Sequence, residues 1–439
     1  MSSQRMIRQG GRMGRRTFIL SSALAVGAVP GLVRAASANE KLNIGIIGTG
    51  GRGASNLGNV QGGNNIVALC DLNRGVLAAG GERHPDARQY SDYREMLQAK
   101  RDLDAVVISV PDHSHALPTL MALDLDLHVY CEKPLTHSIW EARKVREAAA
   151  AKPNLATQMG IQIQAGSNYR RVVELIQSGA IGPVREAHVW VDRAWGGGDR
   201  PAGSEAVPDG LDWNLWIGGA PERPYHGSYM GRPGWYKFWD FAGGTGTDLG
   251  SHWNDLPFWA LKLDAPKRIE AEGPPVHAET APASFTARYG FDERGDLPAV
   301  DLYWTQGSDH PPKYKGPALP EGWNSGVVFV GEKGRLLSDY GRHVLLPEDQ
   351  FADFQRPEPW IEDSPGHHAE WIRACKGGPQ TKAHFGYGGR LTEMNHLGNI
   401  AYRTGKAITW DPESMRISGA DEAEALLRRD YRDGWDIVR

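Results

Sequence analysis

Three polar residues stand at helical spacing in the stretch Asp248-Leu249-Gly250-Ser251-His252-Trp253-Asn254-Asp255. Asp248, His252 and Asp255 occupy positions i, i+4 and i+7, so on a helix they form one polar stripe. A histidine beside carboxylates suits general acid–base chemistry. The same spacing also fits a solvated helix face or a metal site, although the sequence offers no additional ligand cluster and no metal is predicted. Pro257 follows closely, so a kink is expected there.

A glycine-rich loop directly follows an apolar, β-type run at residues 42–47. Its pattern is G-x-G-x-x-G, in which glycines allow a tight turn, close approach of a pyrophosphate and packing of helix on strand. The helix that follows would face the phosphates with its N-terminus. The predicted cofactor-binding residues of this loop are Gly48, Gly50, Gly51, Arg52 and Gly53. In a chain with 54 glycines, an ordinary glycine-rich turn is the alternative.

An acidic residue stands where a dinucleotide site requires one. Residues 65–70 form a second β-type run that ends at Asp71, which is 23 positions after Gly48. Such an acid hydrogen-bonds the adenosine ribose and repels a 2′-phosphate, so NAD is the predicted cofactor. NADP stays open as an alternative because Arg74 is near enough in sequence to accept that phosphate.

Apolar runs alternate with helical segments up to about residue 160, which predicts a doubly wound parallel sheet, a Rossmann domain, over residues 39–162. Further strands are expected near residues 89–90, 104–110, 127–131 and 155–160, with a helix over 139–148. Polar clusters follow two of these strands, at the edge where ligands bind in such sheets. They are Pro111-Asp112-His113-Ser114-His115 and Glu132-Lys133-Pro134, and they add Pro111, His115, Glu132 and Lys133 to the predicted cofactor site.

Taken together, the glycine loop, Asp71, the 111–115 loop, Glu132-Lys133-Pro134 and Asp248-x-x-x-His252 resemble the Gfo/Idh/MocA family of sugar and cyclitol oxidoreductases. The resemblance covers almost the whole chain after residue 38. It implies that Lys133, Asp248 and His252 are catalytic, contact the substrate and lie beside the nicotinamide. His252 would take the proton of a sugar hydroxyl while hydride leaves for NAD. Asp248 would orient His252 or share its proton, and Lys133 would hydrogen-bond the reacting oxygen.

Residues 163–439 are expected to form a second, α+β domain for substrate binding and oligomerisation. A helix is predicted at 169–177, and an open, largely antiparallel sheet is predicted from β-type segments at 184–191, 268–271, 284–289, 299–304 and 326–330. The family resemblance implies a homodimer or homotetramer formed through the exposed sheet face. Eight of the 15 tryptophans lie between residues 190 and 259, where they could stack on a sugar or fill the core. Trp239 is the candidate chosen for substrate contact.

Residues 1–38 resemble a twin-arginine export signal, with Arg15-Arg16 before a short apolar stretch and small residues at 35–38. The alternative is a buried or membrane-anchoring helix, but Gly27, Pro30 and Gly31 interrupt the apolar stretch. A protein that is periplasmic, or otherwise exported through the twin-arginine route, and has no stable membrane insertion is therefore expected. Only arginine charges precede Glu40, so beyond that leader 43 basic residues face 53 acidic ones. An acidic body without a basic patch argues against nucleic acid as a partner.

Three functions compete for this sequence. The leading hypothesis is an NAD-dependent oxidoreductase acting on a carbohydrate, with tightly bound cofactor because free NAD is scarce outside the cytoplasm. The second is a glycosidase or lyase that oxidises the sugar transiently and then returns the hydride. The third is a non-catalytic sugar-binding protein, against which the presence of Lys133 and His252 argues.

Overall fold

The computed structural model describes residues 40–99, 102–231, 233–307 and 313–436. The predicted export signal at residues 1–38 lies outside these ranges. Within them, no helix is long and apolar enough to cross a membrane.

The first sheet has six strands, all parallel, in the order β3-β2-β1-β4-β5-β6, which confirms the predicted doubly wound Rossmann fold. The strands are β1 Asn43–Ile47, β2 Asn65–Cys70, β3 Arg88–Tyr90, β4 Ala105–Ile108, β5 His128–Cys131 and β6 Thr157–Met159. Ile47 pairs with Cys70 on one side and Ile108 on the other. The residues that follow these strands therefore meet at one edge of the sheet.

Helices alternate with these strands and cover the sheet. They are α1 Gly51–Val60, α2 Arg74–Arg83, α3 Tyr93–Ala99, α4 Ala116–Asp124 and α5 Ile139–Ala150, and α6 Ser167–Gln177 leads into the second domain. The start of α5 is fixed by a capping box, in which Ser138 and Glu141 each bond the other's backbone amide.

The second sheet has nine strands in the order β13-β12-β11-β7-β10-β9-β8-β14-β15. Only the β7–β10 pair is parallel among the described pairings, so the largely antiparallel sheet is confirmed. The strands are β7 Val184–Val191, β8 Arg268–Glu272, β9 Phe285–Phe291, β10 Val300–Gln306, β11 Gly326–Gly331, β12 Gly334–Ser338, β13 His343–Leu346, β14 Ile408–Asp411 and β15 Arg416–Ser418.

The helix expected around Asp248 and His252 is instead a series of short helices. After α7 Trp213–Ile217, they are α8 Gly244–Asp248, α9 Gly250–Trp253 and α10 Asp255–Ala260. The backbone stays right-handed at both junctions, Leu249 and Asn254. Pro257 sits in the first turn of α10 and cannot donate to the carbonyl of Trp253, which explains the break after α9.

Two later helices complete the fold, α11 His367–Cys375 and α12 Phe385–Thr404. Helix α11 returns to the first domain, where Trp371, Ala374 and Cys375 share a hydrophobic core with Ile44 and Leu69. Part of the first domain's core therefore comes from far later in the chain than residue 163, where the domain boundary is predicted.

Candidate active site

The glycine loop between β1 and α1 has the geometry of a phosphate-binding turn. Gly48 has φ +83°, and a Cβ on it would lie 2.3 Å from the carbonyl oxygen of Ser109. A Cβ on Gly53 would lie 1.8 Å from the carbonyl oxygen of Gly48, so α1 packs directly on the turn. Gly50 precedes α1 in an extended conformation, and no side chain of the described residues caps that helix. The first backbone amide groups of α1 are therefore suited to bind a pyrophosphate.

Asp71 follows β2 and lies beside the glycine loop. Its Oδ2 accepts hydrogen bonds from the amide (2.8 Å) and hydroxyl (3.2 Å) of Thr49, and its Oδ1 accepts one from the amide of Asn73 (2.9 Å). These bonds fix the carboxylate in the wall of a cavity of about 330 Å³ that Gly48 also lines. Arg74 is exposed and outside that lining. The acid is thus placed where NAD sites bind the adenosine ribose.

Lys133 and Asp248 form an ion pair between Nζ and Oδ1, with side chains only 12% and 7% exposed. The second carboxylate oxygen, Oδ2, accepts a hydrogen bond from the indole Nε1 of Trp195 at 2.6 Å. Trp195 belongs to the tryptophan-rich segment but was not singled out from the sequence. Because both oxygens of Asp248 are engaged, the carboxylate holds the Lys133 ammonium in position at the end of β5.

His252 lies one turn beyond Asp248 and is buried. Burial lowers the pKa of His252 well below its usual range, and the charges of Lys133 and Arg52 lower it further. The imidazole is therefore neutral at pH 7, the state in which it can accept a proton. Its Nδ1 is buried and makes no hydrogen bond within the described chain.

Asp255 is directed elsewhere. Its Oδ1 accepts hydrogen bonds from the hydroxyl of Tyr387 (2.6 Å) and from Nε2 of Gln164 (2.9 Å). Burial raises the pKa of Asp255 to about 7, against these two bonds. Asp248, His252 and Asp255 are all buried, so the alternative that they form a solvated helix face is excluded. Within the described residues, no group of three or more His, Cys, Asp and Glu could hold a metal ion.

A second cavity, of about 530 Å³, adjoins the one at Asp71, and the two share Ser109, Val110, Pro111 and Met230 as walls. Its lining contains five residues predicted from the sequence, namely Gly51, Arg52, Pro111, Glu132 and Lys133. The two cavities form one groove from Asp71 past the glycine loop to Lys133. A groove that runs in this direction suits a dinucleotide whose adenosine end lies at Asp71.

Glu132 anchors one side of this groove. Its Oε1 accepts hydrogen bonds from Nδ2 of Asn56 (2.9 Å) and Nε2 of Gln162 (3.0 Å). Oδ1 of Asn56 lies 3.0 Å from Nε2 of His368, whose ring stacks on that of Tyr130. Because His368 belongs to α11, this network ties the returning helix to the residue that precedes Lys133.

Asp112 is a residue of the groove that sequence reasoning missed. It is buried, it lines the cavity of Lys133 and Glu132, and its Oδ2 makes no hydrogen bond within the described residues. Burial raises the pKa of Asp112 to about 8; the charge of Lys133 opposes this shift and that of Glu132 adds to it. The carboxyl is therefore mainly protonated at pH 7 and can donate a hydrogen bond. Its position next to Pro111 was the available signal.

His115, predicted as a cofactor-binding residue, lies behind the groove and outside both linings. Its Nδ1 is 2.7 Å from the carbonyl oxygen of Pro134, and its Nε2 is 2.8 Å from that of Val110. Burial lowers the pKa of His115 to about 4, against these contacts, so the neutral ring donates to one carbonyl only. His115 thus connects the loops after β4 and β5 and supports Lys133 from behind.

The structure does not bring Trp239, the predicted substrate residue, to the groove. Trp239 lines a separate small cavity, and the guanidinium of Arg403 lies 4.9 Å from its ring centroid. Trp235 and Tyr236, from the same segment, line the cavity of Lys133 instead, stacked with 3.9 Å between ring centroids. The density of tryptophan in the sequence indicated this segment, but local packing decides which of its rings faces the groove.

Comparison with known proteins agrees with this geometry. The Gfo/Idh/MocA oxidoreductase model for the NAD-binding Rossmann fold matches residues 42–160, and that for the family's C-terminal α/β domain matches residues 172–295. Together they span more than half of the chain. Inositol 2-dehydrogenase of Salmonella typhimurium is 30% identical over 151 residues, which are 34% of this chain and 45% of that protein. The sequence match thus spans less than half of the relative's length.

Solved structures share the fold over most of the chain. The WlbA dehydrogenase from Bordetella pertussis, in complex with NADH and UDP-GlcNAcA, has a TM-score of 0.60 at 18% identity, and the match covers 85% of this chain and 99% of that one. Myo-inositol 2-dehydrogenase from Lactobacillus plantarum has a TM-score of 0.57 at 18% identity and covers 84% and 99%.

Proposed function

The chain belongs to the Gfo/Idh/MocA oxidoreductase family and has an NAD-binding Rossmann domain, and from that premise we propose that it oxidises a carbinol carbon of a carbohydrate. The substrate class is a sugar, a cyclitol or a glycoside. The observation that carries the proposal is the largely buried Lys133–Asp248 ion pair at the end of the dinucleotide groove, with neutral His252 one turn after Asp248.

The residues of the groove fit NAD. The glycine loop and the uncapped start of α1 would hold its pyrophosphate, and Asp71 would hold its adenosine ribose. When bound, NAD supplies the acceptor for the hydride at C4 of the nicotinamide.

The chain's own residues would handle the proton. Lys133 donates a hydrogen bond to the reacting oxygen and stabilises negative charge that develops on it. His252 takes the hydroxyl proton as the C–H bond breaks, so one carbinol loses a proton and a hydride and becomes a carbonyl. Asp248 holds Lys133 in place, and Trp195 holds Asp248 in turn.

A second candidate, a lyase or glycosidase with transient oxidation, has support from Asp112. Elimination next to a new carbonyl needs a base that takes the proton of the adjacent carbon and is assisted by an acid that protonates the leaving oxygen. The carboxyl of Asp112 lies in the cavity of Lys133 and is mainly protonated at pH 7. In that case the hydride returns to the same ring and no net NADH accumulates.

Export through the twin-arginine route to the periplasm is part of the proposal, supported by residues 1–38, as is assembly into a homodimer or homotetramer. The exposed side of the second sheet carries charged residues such as Arg268, Glu270 and Arg288, so association through it would be partly electrostatic.

The test is a panel of sugars, cyclitols and glycosides with the purified full chain, in which NADH absorbance and product structure are both followed. A ketone product, accompanied by equimolar NADH or by an equimolar amount of a second sugar reduced in its place, supports oxidation. A cleaved product without NADH supports the second candidate. No conversion of any compound, with NAD bound, would contradict both.

A further inference from the structure

The last described residues, 427–436, run back onto the first domain, and we call them the C-terminal strap. The carbonyl oxygen of Leu427 accepts a hydrogen bond from the amide of Trp140 in α5 (2.9 Å). Further along, Nε of Arg432 donates to the carbonyl oxygen of Gly218 (2.9 Å). The strap thus joins the first domain to the segment after α7.

One buried carboxylate, that of Glu141, holds the middle of the strap. Its Oε1 accepts hydrogen bonds from Nε of Arg429 (2.9 Å) and from the hydroxyl of Tyr431 (2.8 Å). Its Oε2 accepts from the amides of His137 and Ser138 at the start of α5. Glu141 is fully buried, so loss of Arg429 would leave its charge without the cation that compensates it.

Trp435, near the end of the strap, is 7% exposed and lines the cavity that contains Asp71. The guanidinium of Arg94 lies 4.2 Å from the centroid of its indole. Leu215 and Trp216 line the same cavity from the second domain. Residues from three separate parts of the chain therefore line the cavity around Asp71.

The chemistry of these walls suits a purine. In a dinucleotide site the acid at the end of the second strand binds the adenosine ribose, so the attached base lies in the same cavity. Indole rings offer stacking surface to any base. The nicotinamide half belongs to the other cavity, at Lys133, where the strap has no lining residue among those described.

We propose that Trp435 binds the adenine of NAD and that the C-terminal strap, clasped by Arg429 and Glu141, slows the release of the cofactor. The inference rests on the proposed function for the identity of the cofactor and requires nothing of the carbohydrate. A chain that binds NAD through Trp435 but oxidises no carbohydrate would contradict the proposed function and leave this inference standing.

The experiment titrates the full chain, freed of bound nucleotide, with NADH, AMP and nicotinamide mononucleotide, and measures NADH release by chase with excess NAD. The variants are Trp435→Ala and Arg429→Ala. Their matched controls are Trp360→Ala, whose ring is 51% exposed and lines another cavity, and Arg416→Ala, which breaks an exposed ion pair with Glu424. Trp435→Leu, which keeps an apolar side chain without a ring, serves if the alanine variant does not fold.

Trp435→Ala should weaken NADH and AMP binding by roughly 5- to 100-fold and leave nicotinamide mononucleotide binding unchanged. Arg429→Ala should accelerate NADH release by roughly tenfold or more, with little change in the association rate. Both controls should behave as the parent. The inference is overturned if the Trp435 variants bind AMP within about twofold of the parent, or if all three nucleotides weaken equally.

Discussion

The charge of the Lys133 ammonium group acts on two titratable neighbours, His252 and Asp112. This charge lowers the pKa of His252 and opposes the burial that raises the pKa of Asp112. At pH 7 the Lys133 cation therefore has a neutral base, His252, and a mainly neutral acid, Asp112, near it. Pairs of groups whose environments separate their protonation states in this way are typical of acid–base catalysts.

Replacement of Lys133 or His252, the two proposed catalytic side chains, should separate chemistry from cofactor binding. We expect Lys133→Ala and His252→Ala each to lower kcat by roughly 10²- to 10⁴-fold with NAD affinity nearly unchanged. Steady-state kinetics on a substrate from the panel, with NADH titration alongside, measures both. Lys406→Ala, which removes only an exposed ion pair with Glu422, is the control. Full activity in either site variant would refute the role assigned to that residue.

Asp112 predicts an alkaline limb in the pH profile. Its carboxyl can donate a hydrogen bond to a bound substrate only while it is protonated. It loses that ability as pH rises through about 8, so turnover should fall there. Asp112→Asn keeps a donor that cannot ionise, so it should remove this limb. The exposed Asp209→Asn serves as control.

The same shift has a consequence for stability. The folded state holds the Asp112 proton more tightly than the unfolded chain, so this residue's contribution to the free energy of unfolding falls between about pH 4 and 8. Denaturation of parent and Asp112→Asn at several pH values measures that slope. Identical slopes and identical pH–rate profiles in both proteins would show that Asp112 does not titrate as described.

At the scale of elements, two glycines of α1 offer a matched pair. A Cβ on Gly53 would lie 1.8 Å from the carbonyl oxygen of Gly48, whereas one on Gly58 would meet nothing within 4 Å. Gly53→Ala must displace the helix from the turn and should weaken NAD binding by roughly tenfold or more. Gly58→Ala should keep NAD affinity and gain about 0.5–1 kcal/mol of stability. NADH titration and thermal unfolding test both, and equal NAD affinity in the two variants would argue against the tight turn.

The elements that the sequence predicted are those with a strong local signal. The buried strands of the first sheet and β7 are continuous apolar or alternating runs, and the glycine loop has a fixed pattern. Strands β13, β14 and β15 are short and lie late in the chain, where pairing partners rather than composition define them. The spacing of residues in the sequence does not predict that the helix at Asp248 is broken into three parts. It also does not predict that packing brings Trp235, rather than Trp239, to the groove.

At the scale of the whole molecule, the first domain is not independent of the rest of the chain. Trp371 on α11 is fully buried among strand residues of the first sheet, and the strap covers the start of α5. We expect Trp371→Ala to cost about 3–5 kcal/mol of folding stability. The exposed Trp360→Ala should cost at most about 0.5 kcal/mol. Urea denaturation compares them, and a fragment of residues 39–162 that unfolds cooperatively would contradict this dependence.

The proposed export route makes a further demand on the proposed redox chemistry, which is retention of NAD. If the protein leaves the cytoplasm folded, its cofactor must be acquired beforehand and regenerated in place, either by a second sugar or by the ring just oxidised. We therefore expect the full chain, purified without added nucleotide, to carry close to one NAD(H) per chain and to turn over with none in the buffer. Nucleotide released on denaturation and counted per mole of protein measures this.

Gly53→Ala, purified in parallel, should carry much less. A parent protein that is empty after gentle purification, with activity that tracks added NAD, would instead make it a dehydrogenase with a freely exchanging cofactor.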